Sequence, residues 1–245
     1  SVRDSLPANG VSRERATTNF LASLRRIFRL PISFLGLFSA WFVTSSLLLV
    51  ESPLALVGVL LSGLVGLFAA GTLYVYADSD LRGETATIGD VTSSVLGQFL
   101  PLFAIWLLFV PVFVFGLALF VLPGLYVGGR LSLAFPACVL DRRGVLGSLS
   151  TSWNLTRDVS LTSMGILGLG LLSFFVLSFL LAIPQNVVFA ALGVEMAEFS
   201  TLEETLELFE DPQFALISSV FQALALAIPT GAVQIAAARL YLQER

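Results

Sequence analysis

The sequence has no lysine, no histidine and a single cysteine, Cys138. Histidine is the usual general base and the commonest metal ligand, so its absence removes most hydrolase and metalloenzyme designs. One cysteine cannot form an internal disulfide, and Cys138 lies in an apolar stretch, where it is expected to be a small core residue. We therefore expect no catalytic residue, no metal site and no cofactor.

Charged residues are also scarce. They make up 12% of the chain, against about 25% in soluble globular domains, while 56% of the residues are hydrophobic. This apolar surplus exceeds what one soluble core can bury, which predicts an integral membrane protein. All 13 basic residues are arginine, and the net charge of -4 argues against nucleic acid as a partner. A lysine-free, acid-rich composition also favours a salt-rich cytoplasm and a haloarchaeal source.

Apolar runs predict six transmembrane helices, since a span needs roughly 20 apolar residues in a helix. Residues 1–29 form an N-terminal segment, and the expected spans are 30–50, 53–76, 96–121, 122–140, 161–184 and 214–242. The fourth span is the shortest and is interrupted by Pro123, Gly128, Gly129, Arg130 and Pro136. Gly124 and Gly128, four residues apart in this span, predict close helix packing. The predicted fold is all-α, a one-domain polytopic bundle of six helices.

The placement of arginine orients these spans. With the N-terminus inside, every arginine except Arg130 falls in a cytoplasmic segment or at the cytoplasmic end of a span, as the positive-inside rule requires. A five-span arrangement breaks this asymmetry. We therefore expect a multi-pass protein of the cell membrane with both termini in the cytoplasm. The first apolar run begins near Leu30 and is too long for the h-region of a signal peptide, so no cleaved leader is expected.

Three cytoplasmic segments have the spacing of short amphipathic helices, each ahead of a hairpin of spans. Their apolar residues are Phe20, Leu21, Leu24, Ile27 and Phe28 in the first, Ile88, Val91 and Val95 in the second, and Val145, Leu149 and Trp153 in the third. Basic amphipathic helices lie in the headgroup plane with arginines toward lipid phosphates. The candidate interfacial lipid contacts are Arg25, Arg26, Arg29, Arg142, Arg143, Trp153 and Arg157.

Arg130 lies near mid-depth of the fourth span, about 15 Å from Leu140 along a helix. A central arginine costs ~2.5–3.5 kcal/mol on insertion scales, and no carboxylate lies inside a predicted span to pair with it. Its expected partners are carbonyls freed by Pro136 or by the glycine pair, hydroxyls such as that of Ser132, or a lipid phosphate. Arg130 and Ser132 are therefore candidate contacts for an anion or a headgroup. The residues favour the alternative, an arginine that staples a broken helix to its neighbours.

The segment from Gly128 to Leu146, with residues 152–157 after it, resembles the membrane domain that accompanies some membrane-bound glycerophosphodiester phosphodiesterases and that also occurs alone in bacterial and archaeal proteins. The similar features are an Arg-Leu-x-x-x-x-Pro stretch, a charged turn with glycine, and Ser-Trp-x-Leu-Thr-Arg entering the next span. The resemblance is best over residues 120–175, and Asp158 departs from it, since glycine is more usual there. It implies a six-helix fold and a membrane location. It implies no activity, because the catalytic domain of the fused proteins is a separate soluble barrel.

Three classes of function stay open. The favoured one is a non-enzymatic scaffold or regulator of a membrane partner or lipid, whose partners are the lipid bilayer and another membrane protein. The alternative is a small-solute or lipid-headgroup transporter that uses Arg130 in a broken helix, a feature typical of transporters. An enzyme is disfavoured, since no nucleophile–base pair can be assembled. A polar cavity that reaches Arg130 favours transport, and a dry core favours a scaffold.

Overall fold

The computed structural model describes residues 11–27, 31–47, 53–84, 86–193 and 212–245. The regular secondary structure in these ranges is entirely helical, as predicted. The helices are α1 (Val11–Ile27), α2 (Pro31–Leu47), α3 (Pro53–Arg82), α4 (Ile88–Gly97), α5 (Phe99–Leu119), α6 (Val121–Ser132), α7 (Ala134–Asp141), α8 (Gly144–Ala191) and α9 (Pro212–Glu244).

Proline and glycine mark where several helices begin and end. α2, α3 and α9 begin at Pro31, Pro53 and Pro212, where the missing N–H is one that a helix start leaves unpaired. Gly83 and Gly193 follow α3 and α8 with φ of 70° and 86°, the left-handed conformation that glycine adopts without strain. The apolar runs therefore form helices with sharp limits.

The fourth predicted span is two helices rather than one. α6 ends at Ser132, α7 begins at Ala134, and Leu133 lies between them. Pro136 in the first turn of α7 has no N–H, so it cannot donate a hydrogen bond to the preceding turn. The interruption expected in this span is therefore present, and its two halves together cover the length predicted for one.

The third amphipathic segment and the fifth predicted span are two helical stretches that meet at a kink, in agreement with the prediction of two successive helices. α8 runs through both, and only Val159 departs from helical geometry, with φ of -117° and ψ of 21°. Residues 155–162 contain no proline or glycine. Val159 therefore divides α8 into two helical parts, residues 144–158 and 160–191, that meet at a kink without a loop between them.

α9 lies against α1, α2, α3 and α8, and α6 lies between α5 and α8. Small side chains allow such close helix packing in a membrane. Those buried on α9 are Ala223, Ala225, Ala227, Gly231, Ala232, Ala236, Ala237 and Ala238. A Cβ added to Gly124 of α6 would lie 2.5 Å from the backbone nitrogen of Leu117 in α5, which confirms the close packing predicted for this glycine.

The other two amphipathic segments form α1 and α4. α1 buries one face against α8 and α9, and the residues of that face are Ala16, Asn19, Phe20 and Ser23. Leu21, predicted on the apolar face, is instead 60% exposed. In α4, Val91 and Val95 are buried as predicted, whereas Ile88 is exposed. α1 is therefore part of the bundle as well as a surface helix.

Four helices in the described part of the chain are long and apolar enough to cross a membrane: α3, α5, α8 and α9. α2 is a shorter apolar helix. The outer surface carries many exposed large apolar side chains, among them Leu100, Phe115 and Phe179. Such a surface is stable in lipid rather than in water, so the chain has the character of a membrane protein.

Candidate functional site

The break between α6 and α7 frees backbone carbonyls in the last turn of α6, as the C-terminal end of a helix does. The carbonyl oxygen of Gly129 accepts hydrogen bonds from the hydroxyls of Ser132 and Ser163, over 2.9 and 2.7 Å. The two hydroxyl oxygens are 2.9 Å apart, and both side chains are buried. Ser163 belongs to α8, so this carbonyl joins the broken helix to its neighbour.

The next carbonyl is satisfied in the same way. Ser152 of α8 donates to the carbonyl oxygen of Arg130 over 2.6 Å. The hydroxyl of Thr156 lies 3.3 Å from the same oxygen and 2.6 Å from the carbonyl oxygen of Ser152 in its own helix, so it is a second, weaker donor to Arg130. Both side chains are fully buried. We name the four side chains that serve the two carbonyls the hydroxyl cluster: Ser132, Ser152, Thr156 and Ser163.

Close packing of α6 on α8 makes these bonds possible. A Cβ added to Gly129 would lie 2.9 Å from the backbone nitrogen of Met164, a distance that real Cβ atoms essentially never show. Any other residue at this position therefore pushes the two helices apart. The separation would carry Ser163 away from the carbonyl that it caps.

The side chain of Arg130 is 7% exposed and lies against aromatic rings. Its guanidinium carbon is 4.3 Å from the centre of the Trp153 ring and 5.9 Å from that of Tyr126. Both distances are within the range of cation–π attraction, which the sequence did not predict for this residue. Its Nε atom is buried and has no hydrogen-bond partner among the described residues. Of the predicted contacts, the structure brings Arg130 and Trp153 together, while the Ser132 hydroxyl serves the Gly129 carbonyl.

The remaining predicted lipid contacts divide into exposed and paired arginines. Arg26 forms an ion pair with Asp80, and Arg143 pairs with Asp141 at 3.1 Å. Arg29 lies outside the described residues. Arg25, Arg142 and Arg157 are exposed, and the paired Arg143 is exposed as well.

Asp141 holds together the charged end, by which we mean the end of the bundle where α3, α7 and α9 end. Its carboxylate accepts hydrogen bonds from Tyr241 Oη at 2.6 Å, Arg245 at 2.7 Å and Arg143 at 3.1 Å. Partial burial alone raises the pKa of Asp141, but the Tyr241 hydroxyl and the two guanidinium groups outweigh it and lower the pKa below its usual range. These contacts join the end of α7 to the end of α9.

The hydroxyl cluster is not among the sites predicted from the sequence. A signal for it is present in α8, where buried hydroxyls recur every fourth residue, at Ser148, Ser152 and Thr156. The apolar stripe beginning at Val145 has the same period, yet its members are only partly buried or exposed. Ser152 and Thr156 of this stripe face α6, where the broken helix supplies carbonyls that need donors, whereas Ser148 lies beside Cys138 of α7.

A central cavity of about 310 Å³ lies in the bundle between α2, α3, α5 and α9. Its lining is mostly apolar, with Thr44, Ser62, Ser132, Thr230 and Gln234 as its polar side chains. Arg130 is not one of the described residues that line the cavity. The arginine is therefore separate from this cavity.

The described ranges contain no group of three or more Cys, Asp or Glu side chains placed to hold a metal ion. Comparisons of the chain with protein-family models, curated proteins and solved structures found no match. What the arrangement can do chemically is to stack a cation on aromatic rings, satisfy backbone carbonyls and present exposed guanidinium groups.

Proposed function

We propose that the chain is a six-span protein of the cell membrane with both termini in the cytoplasm, and that it contains a membrane domain of the kind that residues 120–175 resemble. The four long helices supply four spans, and α2 and the α6–α7 pair supply the other two. The arginine asymmetry supports this topology, because the charged end collects Arg82, Arg143 and Arg245.

In this membrane the protein acts as a non-enzymatic scaffold or regulator that engages anionic lipid and a membrane partner from the cytoplasmic side. The observation that carries this proposal is the set of exposed basic and aromatic side chains on α1, α8 and the α7–α8 turn. They are Arg25, Arg142, Trp153 and Arg157. Guanidinium groups beside an amphipathic aromatic ring suit the headgroup region of an anionic leaflet.

The transporter alternative has one supporting observation, the buried Arg130 Nε without a hydrogen-bond partner in the described part of the chain. An anionic solute could supply that partner. Transport also requires a polar path to the arginine, however, and the central cavity is mostly apolar and does not have Arg130 in its lining. The scaffold is therefore the better-supported function.

Lipid binding tests the proposed function. Each exposed arginine near an anionic surface contributes about 1 kcal/mol, which is about a fivefold change in affinity. Purified protein should be thermally stabilised by phosphatidylglycerol, and the double variant Arg142→Gln/Arg157→Gln should require more of this lipid for the same stabilisation. Arg82→Gln is the matched control, because Arg82 pairs with Asp78 at 2.9 Å. Equal lipid dependence of all three proteins would contradict the proposal.

The two ends of α8 test the topology. Ser150 and Ala190 are both exposed and lie near opposite ends of this helix. In a background without the native Cys138, a cysteine at position 190 should react with an impermeant thiol reagent in intact cells, and one at position 150 should react only after lysis. Labelling of position 150 from outside would overturn the proposed orientation.

A further inference from the structure

The lining of the central cavity is mostly apolar, and most of its polar side chains already bond within the protein. Thr44, Ser62 and Ser132 each donate to a carbonyl of their own helix, over 2.8, 2.8 and 2.9 Å. The side-chain oxygen of Gln234 accepts the hydroxyl of Tyr74. A buried water needs two to four polar partners, and cavities that lack them stay dry and take up apolar molecules. The lining therefore suits hydrocarbon rather than water or a polar solute.

The lining of the cavity follows α3. Along α3 its lining extends from Val59 to Ala70, eleven residues or ~16 Å at the helical rise. The cavity has a volume of about 310 Å³. The volume lies at the lower end of the range for ligand pockets, ~300–1,000 Å³. A single extended hydrocarbon chain suits an apolar cavity whose lining extends this far along a helix.

One side of the cavity opens toward the lipid-facing surface between α3 and α5. Leu60 belongs to the lining and is 59% exposed on the outside of the bundle. Across from it, the Trp106 ring lies against Gly63, where an added Cβ would be 3.6 Å from the ring. No side chain projects from Gly63, so Trp106 and the bare backbone form the entrance.

We propose that the central cavity binds one hydrocarbon chain of a membrane lipid, which enters from the bilayer between α3 and α5, past Trp106. The bilayer supplies this ligand at the depth of the opening, because Gly63 and Trp106 both lie well inside membrane-spanning helices. The site needs no charge on the lipid. It is therefore independent of the anionic-lipid contacts proposed at the charged end.

The native tryptophans report on this site. Trp41 and Trp106 line the cavity, and Trp153 does not. Protein in a non-brominated detergent is titrated with a zwitterionic phospholipid that carries bromine, a contact quencher of tryptophan emission, in mid-chain. The wild-type emission should fall in a saturable step that ends at one lipid per protein.

Variants at the entrance separate cavity binding from ordinary lipid contact. Gly63→Leu places a side chain in the opening and should weaken the saturable step by about tenfold or more. Gly97→Leu is the matched control, since an added Cβ there meets nothing within 4 Å and the residue is far from the cavity. Val59→Phe fills the same opening from a second position and serves if Gly63→Leu does not fold.

Each outcome decides the proposal. Saturation at one lipid that is lost on filling the entrance and kept in Gly97→Leu supports it. Quenching that rises linearly without saturation, or an equal saturable step in the filled variants, overturns it. Because the lipid is zwitterionic, failure here leaves the anionic-lipid proposal standing, and failure of that proposal leaves this one standing.

Discussion

Removing both donors from the Arg130 carbonyl is the sharpest test of how the broken helix is held. Ser152→Ala deletes the 2.6 Å hydrogen bond, and Thr156→Val deletes the 3.3 Å contact while keeping the volume of the side chain. The carbonyl is in the last turn of α6, where the helix itself supplies no N–H donor. With both hydroxyls absent, a buried acceptor is left without a partner.

The expected losses of stability follow from the presence of two hydroxyls near the same carbonyl. Each single substitution leaves one hydroxyl within reach, so each should cost ~0.6 kcal/mol, the average for an interhelical hydrogen bond in a membrane protein. The double variant Ser152→Ala/Thr156→Val also incurs the desolvation penalty of an unsatisfied carbonyl, ~1–3 kcal/mol. Its loss should therefore exceed the sum of the two single losses.

The assay is the free energy of unfolding, from reversible denaturant titration in mixed micelles. Ser150→Ala is the matched control, because this serine is on α8 but exposed, and it should change the free energy by less than 0.5 kcal/mol, roughly the limit for surface substitutions. Arg130→Met tests the role of the guanidinium group instead. This variant removes a cation–π attraction of ~0.5–2 kcal/mol, and it also removes the desolvation cost of the buried charge. If Arg130→Met destabilises the protein more than the double hydroxyl variant, the guanidinium rather than the hydroxyl cluster holds the break.

Three further predictions concern other positions. Gly129→Ala places a Cβ 2.9 Å from the backbone nitrogen of Met164 and should lower the free energy of unfolding by ~1–3 kcal/mol, measured by the same denaturant titration. An unchanged free energy of unfolding would show that α6 and α8 are not in tight contact. The folded-state pKa of Asp141 is lowered, so its stabilising effect is present above the unfolded pKa and is lost as the pH falls through the folded pKa. Asp141→Asn should therefore make the melting temperature fall less steeply at acid pH. An unaltered slope contradicts this prediction. Arg142 has φ of 54°, and Arg142→Gly should relieve left-handed strain of ~1 kcal/mol and raise the melting temperature.

Element type and membrane character could be predicted from the sequence because both follow from local patterns. Apolar runs with few charges predict helices in lipid, and the helices observed over these runs agree with that prediction. The interruption of the fourth span was also predictable, since Pro136 lacks an N–H whatever its surroundings. A boundary between the third amphipathic segment and the fifth span was predicted as well, and it lies at Val159. That this boundary is a kink rather than a loop was not predictable, because residues 155–162 contain no proline or glycine and the direction of the chain there depends on what α8 packs against.

The candidate site was likewise predictable in part. The sequence by itself determined that Arg130 sits in an interrupted apolar segment and needs a partner, since its charge and the prolines and glycines around it are local facts. Only the tertiary structure decided which partner, because Trp153 lies 23 positions along the chain and its ring reaches the guanidinium through the packing of α8 on α6. The same packing turns the hydroxyl stripe of Ser152 and Thr156 inward, toward carbonyls that belong to another helix. A side chain's period along a helix is set by its own sequence, but the face that becomes buried is set by the unsatisfied groups of its neighbours.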